Sequence, residues 1–189
     1  MRIVFIGPPG AGKGTQSLRL AKHLSVPPLS TGAMLRDATA NGSELGIESA
    51  KFMKQGRLVP DHLVEQILFQ RLGDPDCAEG CIIDGFPRTV PQAEALDQWL
   101  AERQSPLEIV LELYVPFEEL QRRLAGRGRA DDSQDVVKKR LRAYDDLTRP
   151  LLDYYQGRSK LHRIDGLGSP DEVFERMLAA IKSVKPKQQ

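Results

Sequence analysis

The N-terminal stretch between Arg2 and Thr15 constrains this chain more than any other segment; it reads RIVFIGPPGAGKGT. It opens with β-branched and aromatic residues that turn residues follow at once, which is typical of a buried strand. The glycines allow positive φ angles and let backbone N–H groups approach an anion, and the following helix adds the positive end of its dipole. The stretch therefore predicts a strand, a phosphate-binding loop and a helix, with Lys13 placed to reach the β- and γ-phosphates of a nucleotide.

One position departs from the strict form of such a loop, in which Ser or Thr directly follows the lysine. Here Gly14 stands at that position and the hydroxyl comes one residue later, at Thr15. The phosphate cradle does not depend on this hydroxyl. Direct ligation of Mg²⁺ by Thr15 is the feature that the shift puts in question.

Composition indicates an ordinary globular protein. The chain has 189 residues and a net charge of +1, which fits a single domain over residues 1–189 and gives no global reason to expect nucleic acid or a membrane as partner. Cys77 and Cys81 lack nearby histidines, so we expect reduced cysteines rather than a zinc site. Without a long apolar run or coiled-coil heptads, we expect a cytoplasmic monomer.

Apolar runs and helical patterns alternate along the chain. This alternation predicts an α/β fold in which a parallel sheet is covered by helices on both faces, with ligands bound at the carboxyl edge. Three successive helices between the second and third strands interrupt it and indicate an insertion at the edge of the sheet. The five strands are expected near residues 2–6, 28–30, 80–84, 108–114 and 161–165.

Helix boundaries follow from capping residues and prolines. Asp61 is expected to cap a helix that runs to about Leu72, and Asp131 or Ser133 to start one long helix that continues to about Tyr155. Ser169-Pro-Asp-Glu172 predicts a capping box for the last helix.

Asp84 ends the third predicted strand, directly before a tight Asp-Gly turn. A carboxylate at the tip of a strand beside a phosphate loop is placed to hold Mg²⁺, directly or through water. The alternative role for Asp84 is to stabilise the turn itself.

The remaining motifs narrow the class of reaction. A switch GTPase needs an Asn-Lys-x-Asp motif to recognise guanine. The one asparagine of this chain, Asn41, precedes a glycine, so a GTPase is not expected. Planar guanidinium groups disperse phosphate charge well, and a phosphate acceptor is already ionised and needs no general base. The sequence is rich in arginine and shows no evident general base. This set of residues favours phosphate as both donor and acceptor. The arginines in question are Arg36, Arg57, Arg88, Arg123, Arg127, Arg129 and Arg140.

Several motifs in order resemble those of the adenylate kinases among the nucleoside monophosphate kinases, over nearly the whole chain. They are GPPGAGKGTQ at 7–16, LSTGAMLR at 29–36, GRLVPD at 56–61, DGFPRT at 84–89 with Gln92, GRGRADD at 126–132, and VKKR at 137–140 through Thr148-x-Pro150. The resemblance implies a P-loop NTPase fold with a small helical monophosphate-binding insertion at 30–59 and a short lid at 126–136. It also implies the reversible reaction of Mg-ATP with AMP to give two ADP.

The resemblance implies a role for each matching residue. It places ATP at Gly10, Ala11, Gly12, Lys13, Gly14, Thr15, Arg127 and Gly168. It places AMP at Thr31, Arg36, Arg57, Leu58, Val59, Gly85, Phe86, Pro87, Arg88, Gln92, Arg129 and Arg140. Lys13, Arg88, Arg123, Arg127, Arg129 and Arg140 would act on the transferring and acceptor phosphates, and Asp84 on Mg²⁺.

Two alternatives stay open at this point: a UMP/CMP kinase, whose relatives share the P-loop and the Asp-Gly-Phe-Pro-Arg motif, and a nucleotide-binding regulator without activity. Thr31 and Gln92 favour adenine, since a glutamine amide offers both a donor and an acceptor to the edge of the adenine base. Ala33 differs from the aspartate that relatives commonly carry there, which could loosen the network around the AMP site.

Overall fold

The computed structural model of the chain describes residues 1–126 and 134–184. Its strands are β1 (Arg2–Ile6), β2 (Pro28–Ser30), β3 (Cys81–Asp84), β4 (Ile109–Tyr114) and β5 (Leu161–Asp165). Its α-helices are α1 (Lys13–Leu24), α2 (Thr31–Ala40), α3 (Glu44–Met53), α4 (Asp61–Leu72), α5 (Val90–Glu102), α6 (Phe117–Ala125), α7 (Gln134–Ala143), α8 (Pro150–Gln156) and α9 (Pro170–Ser183). A short 3-10 turn covers Pro75–Cys77.

The five strands form one parallel sheet in the order β2-β3-β1-β4-β5. β1 lies at the centre, with Phe5 opposite Asp84 of β3 and Leu111 of β4. Because parallel strands end at the same edge, the loops after β1, β2, β3 and β5 meet there. The predicted α/β fold with five parallel strands is confirmed.

Alternate residues of the strands pack into two cores, one on each face of the sheet. Val4 and Ile6 face helices α4, α5 and α8, whereas Ile3 and Phe5 face helices α1, α6 and α9. This period of two is the pattern of a sheet buried on both sides. The helices on the two faces hold the strand tips rigidly in place.

The structure corrects the prediction that Asp61 caps α4. Asp61 is the first residue of the helix, and Pro60 stands at the capping position, where its carbonyl accepts from the N–H groups of Leu63 and Val64 at 3.1 and 3.3 Å. Proline has no N–H to satisfy and its fixed φ suits a helix start. The carboxylate of Asp61 is therefore available for another contact.

The predicted continuous helix to Tyr155 is also wrong. A π-helical segment, Tyr144–Thr148, separates α7 from α8, and the N–H of Arg149 donates to the carbonyl of Tyr144 at 2.8 Å. Pro150 explains the break, since a proline inside a helix removes one hydrogen bond and clashes with the carbonyl four residues earlier. The expected start at Asp131 or Ser133 lies outside the described residues.

The capping box of α9 is confirmed: the Ser169 hydroxyl accepts from the N–H of Glu172, and the Glu172 carboxylate accepts from the N–H of Ser169. None of the helices within 1–126 and 134–184 is long and apolar enough to cross a membrane.

Candidate active site

A cleft of about 1080 Å³ runs along the carboxyl edge of the sheet. The loop after β1, the start of α2 after β2, the turn after β3 and the loop after β5 all contribute to its lining. Part of α7 closes it from the side, where Arg140 and Ala143 lie. Sequence segments that are far apart along the chain thus meet in one cavity.

The phosphate-binding loop forms one end of the cleft. Gly12 has a φ of 95° and directly precedes α1, a conformation that a glycine adopts without strain. The ammonium of Lys13 donates to the carbonyls of Gly7 at 2.6 Å and Pro8 at 3.0 Å. This geometry keeps the lysine folded over its own loop, next to the helix N-terminus that attracts anions.

Asp84 lies beside this loop. A β-carbon at Gly14 would come within 3.7 Å of the Asp84 Oδ2 atom, and both residues line the cleft together with Thr15. Carboxylate oxygens are ligands that Mg²⁺ prefers, usually together with phosphate oxygens and water. The donor set therefore fits a magnesium ion between Asp84 and a nucleotide phosphate. Within the described residues, no group of three or more His, Cys, Asp or Glu side chains is placed to hold a metal on its own.

Three arginines from different parts of the chain converge on the cleft: Arg36 of α2, Arg88 after β3 and Arg140 of α7. Burial lowers the pKa of Arg88, the charges of Arg140 and Arg36 lower it further, and Asp84 opposes this shift. Arg88 keeps solvent access along the cleft and stays protonated at neutral pH. Concentrated positive charge of this kind is the electrostatic signature of an anion site.

The turn after β3 fixes the position of Arg88. Its Nε donates to the carbonyl of Gly85 at 2.8 Å, and its own carbonyl accepts from the Thr148 hydroxyl at 2.9 Å. Gly85 has a φ of 87°, and a β-carbon there would lie 2.7 Å from the Oγ1 atom of Thr31. The backbone between β3 and α5 therefore packs directly against the start of α2.

Gln92 is 2% exposed, yet it contributes to the lining of the cleft. Its Oε1 accepts from the backbone N–H of Arg88 at 2.7 Å, and its Nε2 donates to the Asp61 Oδ1 atom at 2.6 Å. The amide thus has one bond at each end inside the protein, and each end retains capacity for one more.

Arg123 reaches the opposite side of the cleft from α6. It donates to Glu119 at 2.6 Å through Nε and to the carbonyl of Gly166 at 3.0 Å through Nη2. Hydrogen bonds from Arg122 and Arg123 lower the pKa of Glu119 to about 2. Arg123 is therefore anchored beside the loop that contains Gly168.

The cleft brings together most of the residues singled out from the sequence. The lining includes Gly10, Ala11, Gly12, Lys13, Gly14, Thr15, Thr31, Arg36, Arg57, Leu58, Val59, Asp84, Gly85, Pro87, Arg88, Gln92, Arg123, Arg140 and Gly168. Phe86 is fully buried and packs edge-on against Phe69 instead. Arg127, Arg129 and most of the expected lid at 126–136 lie outside the described residues.

Sequence reasoning missed the contacts by which three residues hold this site in place. Thr148 binds the carbonyl of Arg88, Glu119 binds Arg123, and Asp61 binds Gln92. Only the Glu119–Arg123 pair had a local signal, because residues four apart on a helix face each other. The other two contacts join distant segments and leave no pattern in the sequence.

The chain has a glycine loop between a central parallel strand and a helix, a lysine at the start of that helix, and an aspartate at the tip of the neighbouring strand. This combination defines a P-loop nucleotide-binding protein. The family model described as "Adenylate kinase" matches residues 5–160. The chain is 51% identical to the adenylate kinase of Mycolicibacterium vanbaalenii over 96% of this chain and 99% of that protein. With the adenylate kinase of Mycobacterium tuberculosis strain H37Rv, identity is 46% with the same coverage of both chains. The chain belongs to the adenylate kinase family.

Proposed function

We propose that this enzyme transfers the terminal phosphoryl group of ATP reversibly to AMP, giving two ADP, and so balances the adenine nucleotide pool. The observation that carries this is the shared cleft, in which a P-loop and a group of three arginines lie along the same edge of the sheet. A P-loop alone would fit any nucleoside triphosphatase. The arginines supply a place for a second phosphate group beside the first.

Phosphoryl transfer between two nucleotides suits the side chains that line the cleft. A phosphate acceptor is ionised at neutral pH, so the protein needs to orient two anions and to stabilise the charge on the transferring group. Two unit charges 4 Å apart interact by about 4 kcal/mol at an effective dielectric constant near 20. Several guanidinium groups together therefore supply stabilisation on the scale that the approach of two phosphates requires.

ATP would occupy the end of the cleft formed by the P-loop. Backbone N–H groups of Gly10–Thr15 would bind its phosphates and Lys13 would hold the transferring group, while its base would lie near Gly168. Arg123 supports this placement through its bond to the carbonyl of Gly166. Arg127, outside the described residues, is proposed to act on the same nucleotide.

AMP would occupy the end of the cleft formed by α2, the segment at 57–59 and the turn after β3. Its phosphate would be bound by arginines, and its base would contact the remaining binding residues. The proposed phosphate ligands are Arg36, Arg88, Arg140 and, outside the described residues, Arg129. Thr31, Arg57, Leu58, Val59, Gly85, Phe86, Pro87 and Gln92 complete the proposed AMP site; since Phe86 is fully buried, its part would be to support the turn.

Magnesium would lie between Asp84 and the phosphates of ATP, with water completing its coordination. When bound, the ion neutralises part of the phosphate charge. Asp84, at the tip of β3, lies close to the start of α1: a β-carbon added to Gly14 would be 3.7 Å from its Oδ2 atom. Thr15, exposed at the cleft, is a further candidate for contact with the hydrated ion.

We further propose that residues 1–189 form one P-loop kinase domain, in which 30–59 binds the monophosphate and 126–136 forms a short lid. A cytoplasmic monomer fits the net charge of +1 and the ordinary composition of the chain. Of the two alternatives, a UMP/CMP kinase is not favoured, because the relatives described above are adenylate kinases. Loss of the P-loop lysine or of the arginines would favour an inactive regulator, and the chain keeps both.

The test is to incubate the purified protein with Mg-ATP and, in separate reactions, with AMP, UMP, CMP or GMP. We expect ADP to form from AMP at a rate far above that of the other diphosphates. Faster formation of UDP or CDP would support the pyrimidine kinase. Absence of product with every acceptor, in a protein that still binds ATP, would support the regulator.

A further inference from the structure

Asp61 and Gln92 form a hydrogen-bonded pair between two segments that flank the proposed AMP site. Asp61 begins α4, two residues after the 57–59 segment ends, and Gln92 lies in the first turn of α5, after the turn that carries Arg88. The Nε2–Oδ1 distance is 2.6 Å, and the Thr89 hydroxyl lies 3.5 Å from the other carboxylate oxygen. This pair ties α4 to α5 beside the cleft, whose lining includes Gln92.

The two partners of Gln92 leave its amide only one favourable orientation. A carboxylate only accepts hydrogen bonds, so the nitrogen end must face Asp61. The backbone N–H of Arg88 only donates, so the oxygen end must face Arg88, at 2.7 Å. Rotation of the amide by 180° would place oxygen against carboxylate and NH₂ against N–H. Such a loss of two bonds is costly at a side chain that is 2% exposed.

We propose that Asp61 is a positioning residue for base recognition, which sets the direction in which Gln92 presents its donor and acceptor. This inference rests on the proposed function. The amide retains one N–H and one lone pair, which match the exocyclic amino group and a ring nitrogen of adenine. The same amide is mismatched to a 6-oxo purine, whose oxygen accepts where adenine donates. Asp61 therefore contributes to discrimination between AMP and IMP without contacting either nucleotide.

The central variant is Asp61→Asn, which keeps the size of the side chain. Asparagine can turn either its oxygen or its NH₂ group towards Gln92, so of the two contacts that fix the amide, the N–H of Arg88 alone still disfavours the reversed orientation. We expect the KM for AMP to rise about tenfold, the KM for ATP to change little, and the ratio of kcat/KM for AMP to that for IMP to fall by a similar factor. Asp97→Asn is the matched control, because Asp97 lies on α5, the helix that carries Gln92, and accepts from the Tyr154 hydroxyl at 2.9 Å, away from the cleft.

A double-mutant cycle distinguishes positioning from general damage. In a Gln92→Leu background, Asp61→Asn should produce no further loss of selectivity, since the group through which it acts is gone. Additive losses in selectivity, or an equal decrease for AMP and IMP in the single variant, would overturn the proposal. Gln92→Leu by itself must lower the same ratio, which keeps the test decisive if Asp61→Asn does not fold. Failure of the unaltered enzyme to phosphorylate AMP would instead reject the proposed function.

Discussion

Gly85 and Thr31 are packed so closely that a β-carbon on Gly85 would lie 2.7 Å from the Thr31 Oγ1 atom. The contact joins the turn after β3 to the first residue of α2, and Thr31 is 2% exposed. The width of the proposed AMP site at this point is therefore set by the absence of a side chain on Gly85.

Gly85→Ala should impair binding of AMP and spare binding of ATP. The methyl group would push Thr31 and α2 away, and the φ of 87° would add strain. A displacement of about 1 Å can cost up to about 10²-fold in kcat/KM, and we expect most of the loss in the KM for AMP. Steady-state kinetics with each substrate varied in turn measure it. Gly157→Ala, in an ordinary helical conformation away from the cleft, is the control; an unchanged KM for AMP would contradict the prediction.

Lys13→Gln should lower kcat/KM for ATP by roughly 10²- to 10³-fold, the loss that follows removal of one donor to developing charge. The lysine lies over the P-loop, where its ammonium binds the carbonyls of Gly7 and Pro8. Glutamine keeps a donor but has no charge and reaches less far. Lys22→Gln, on an exposed position of the same helix, should keep full activity. A Lys13→Gln enzyme that retains more than about a third of its activity would exclude Lys13 from catalysis.

Arg88→Ala should lower kcat by roughly 10³-fold or more, as expected for an arginine that stabilises a transferring phosphoryl group. Arg88→Lys should recover little of this, because an ammonium cannot form the planar two-point contact of a guanidinium. Arg103→Ala serves as control, since Arg103 lies over the Trp99 ring at 3.9 Å, at the far end of α5. Single-turnover measurements separate the chemical step from release. A loss below about tenfold would remove Arg88 from the catalytic set.

The strands could be predicted from the sequence almost to the residue, and β1, β3 and β4 are short, mostly apolar runs that turn residues end. The break at Tyr144–Thr148 could also have been found, since Pro150 cannot continue an α-helix. The pairing of Asp61 with Gln92 could not. The two residues are 31 positions apart, and a side-chain contact at that separation depends on how α4 and α5 pack on the sheet. Local rules assigned Asp61 a capping role that Pro60 takes instead.

In the candidate site, too, some features could be predicted from the sequence and others could not. A glycine loop, an aspartate at a strand tip and a set of arginines carry their chemistry in their residue types, so the sequence could place them at one edge of a parallel sheet. What the sequence could not give is how each is held. Arg123 is anchored by the Gly166 carbonyl, and Arg88 by Thr148. The Gly166 carbonyl is a backbone atom that no motif identifies, and the motif that contains Thr148 does not show which atom its hydroxyl binds.

Glu119→Gln should lower the free energy of unfolding near neutral pH, and its effect should fade in acid. Arg122 and Arg123 hold the pKa of Glu119 at about 2, below the ordinary 4.5. The stabilisation from this depressed pKa is complete above about pH 4.5 and is lost as the pH falls towards 2. Urea unfolding at several pH values should thus show the variant and the unaltered protein converging in acid. Glu118→Gln, an exposed neighbour in the same first helical turn, is the control. The difference in free energy of unfolding between Glu119→Gln and the unaltered protein could instead stay constant down to pH 2. That result would mean that the carboxylate acts through packing rather than charge.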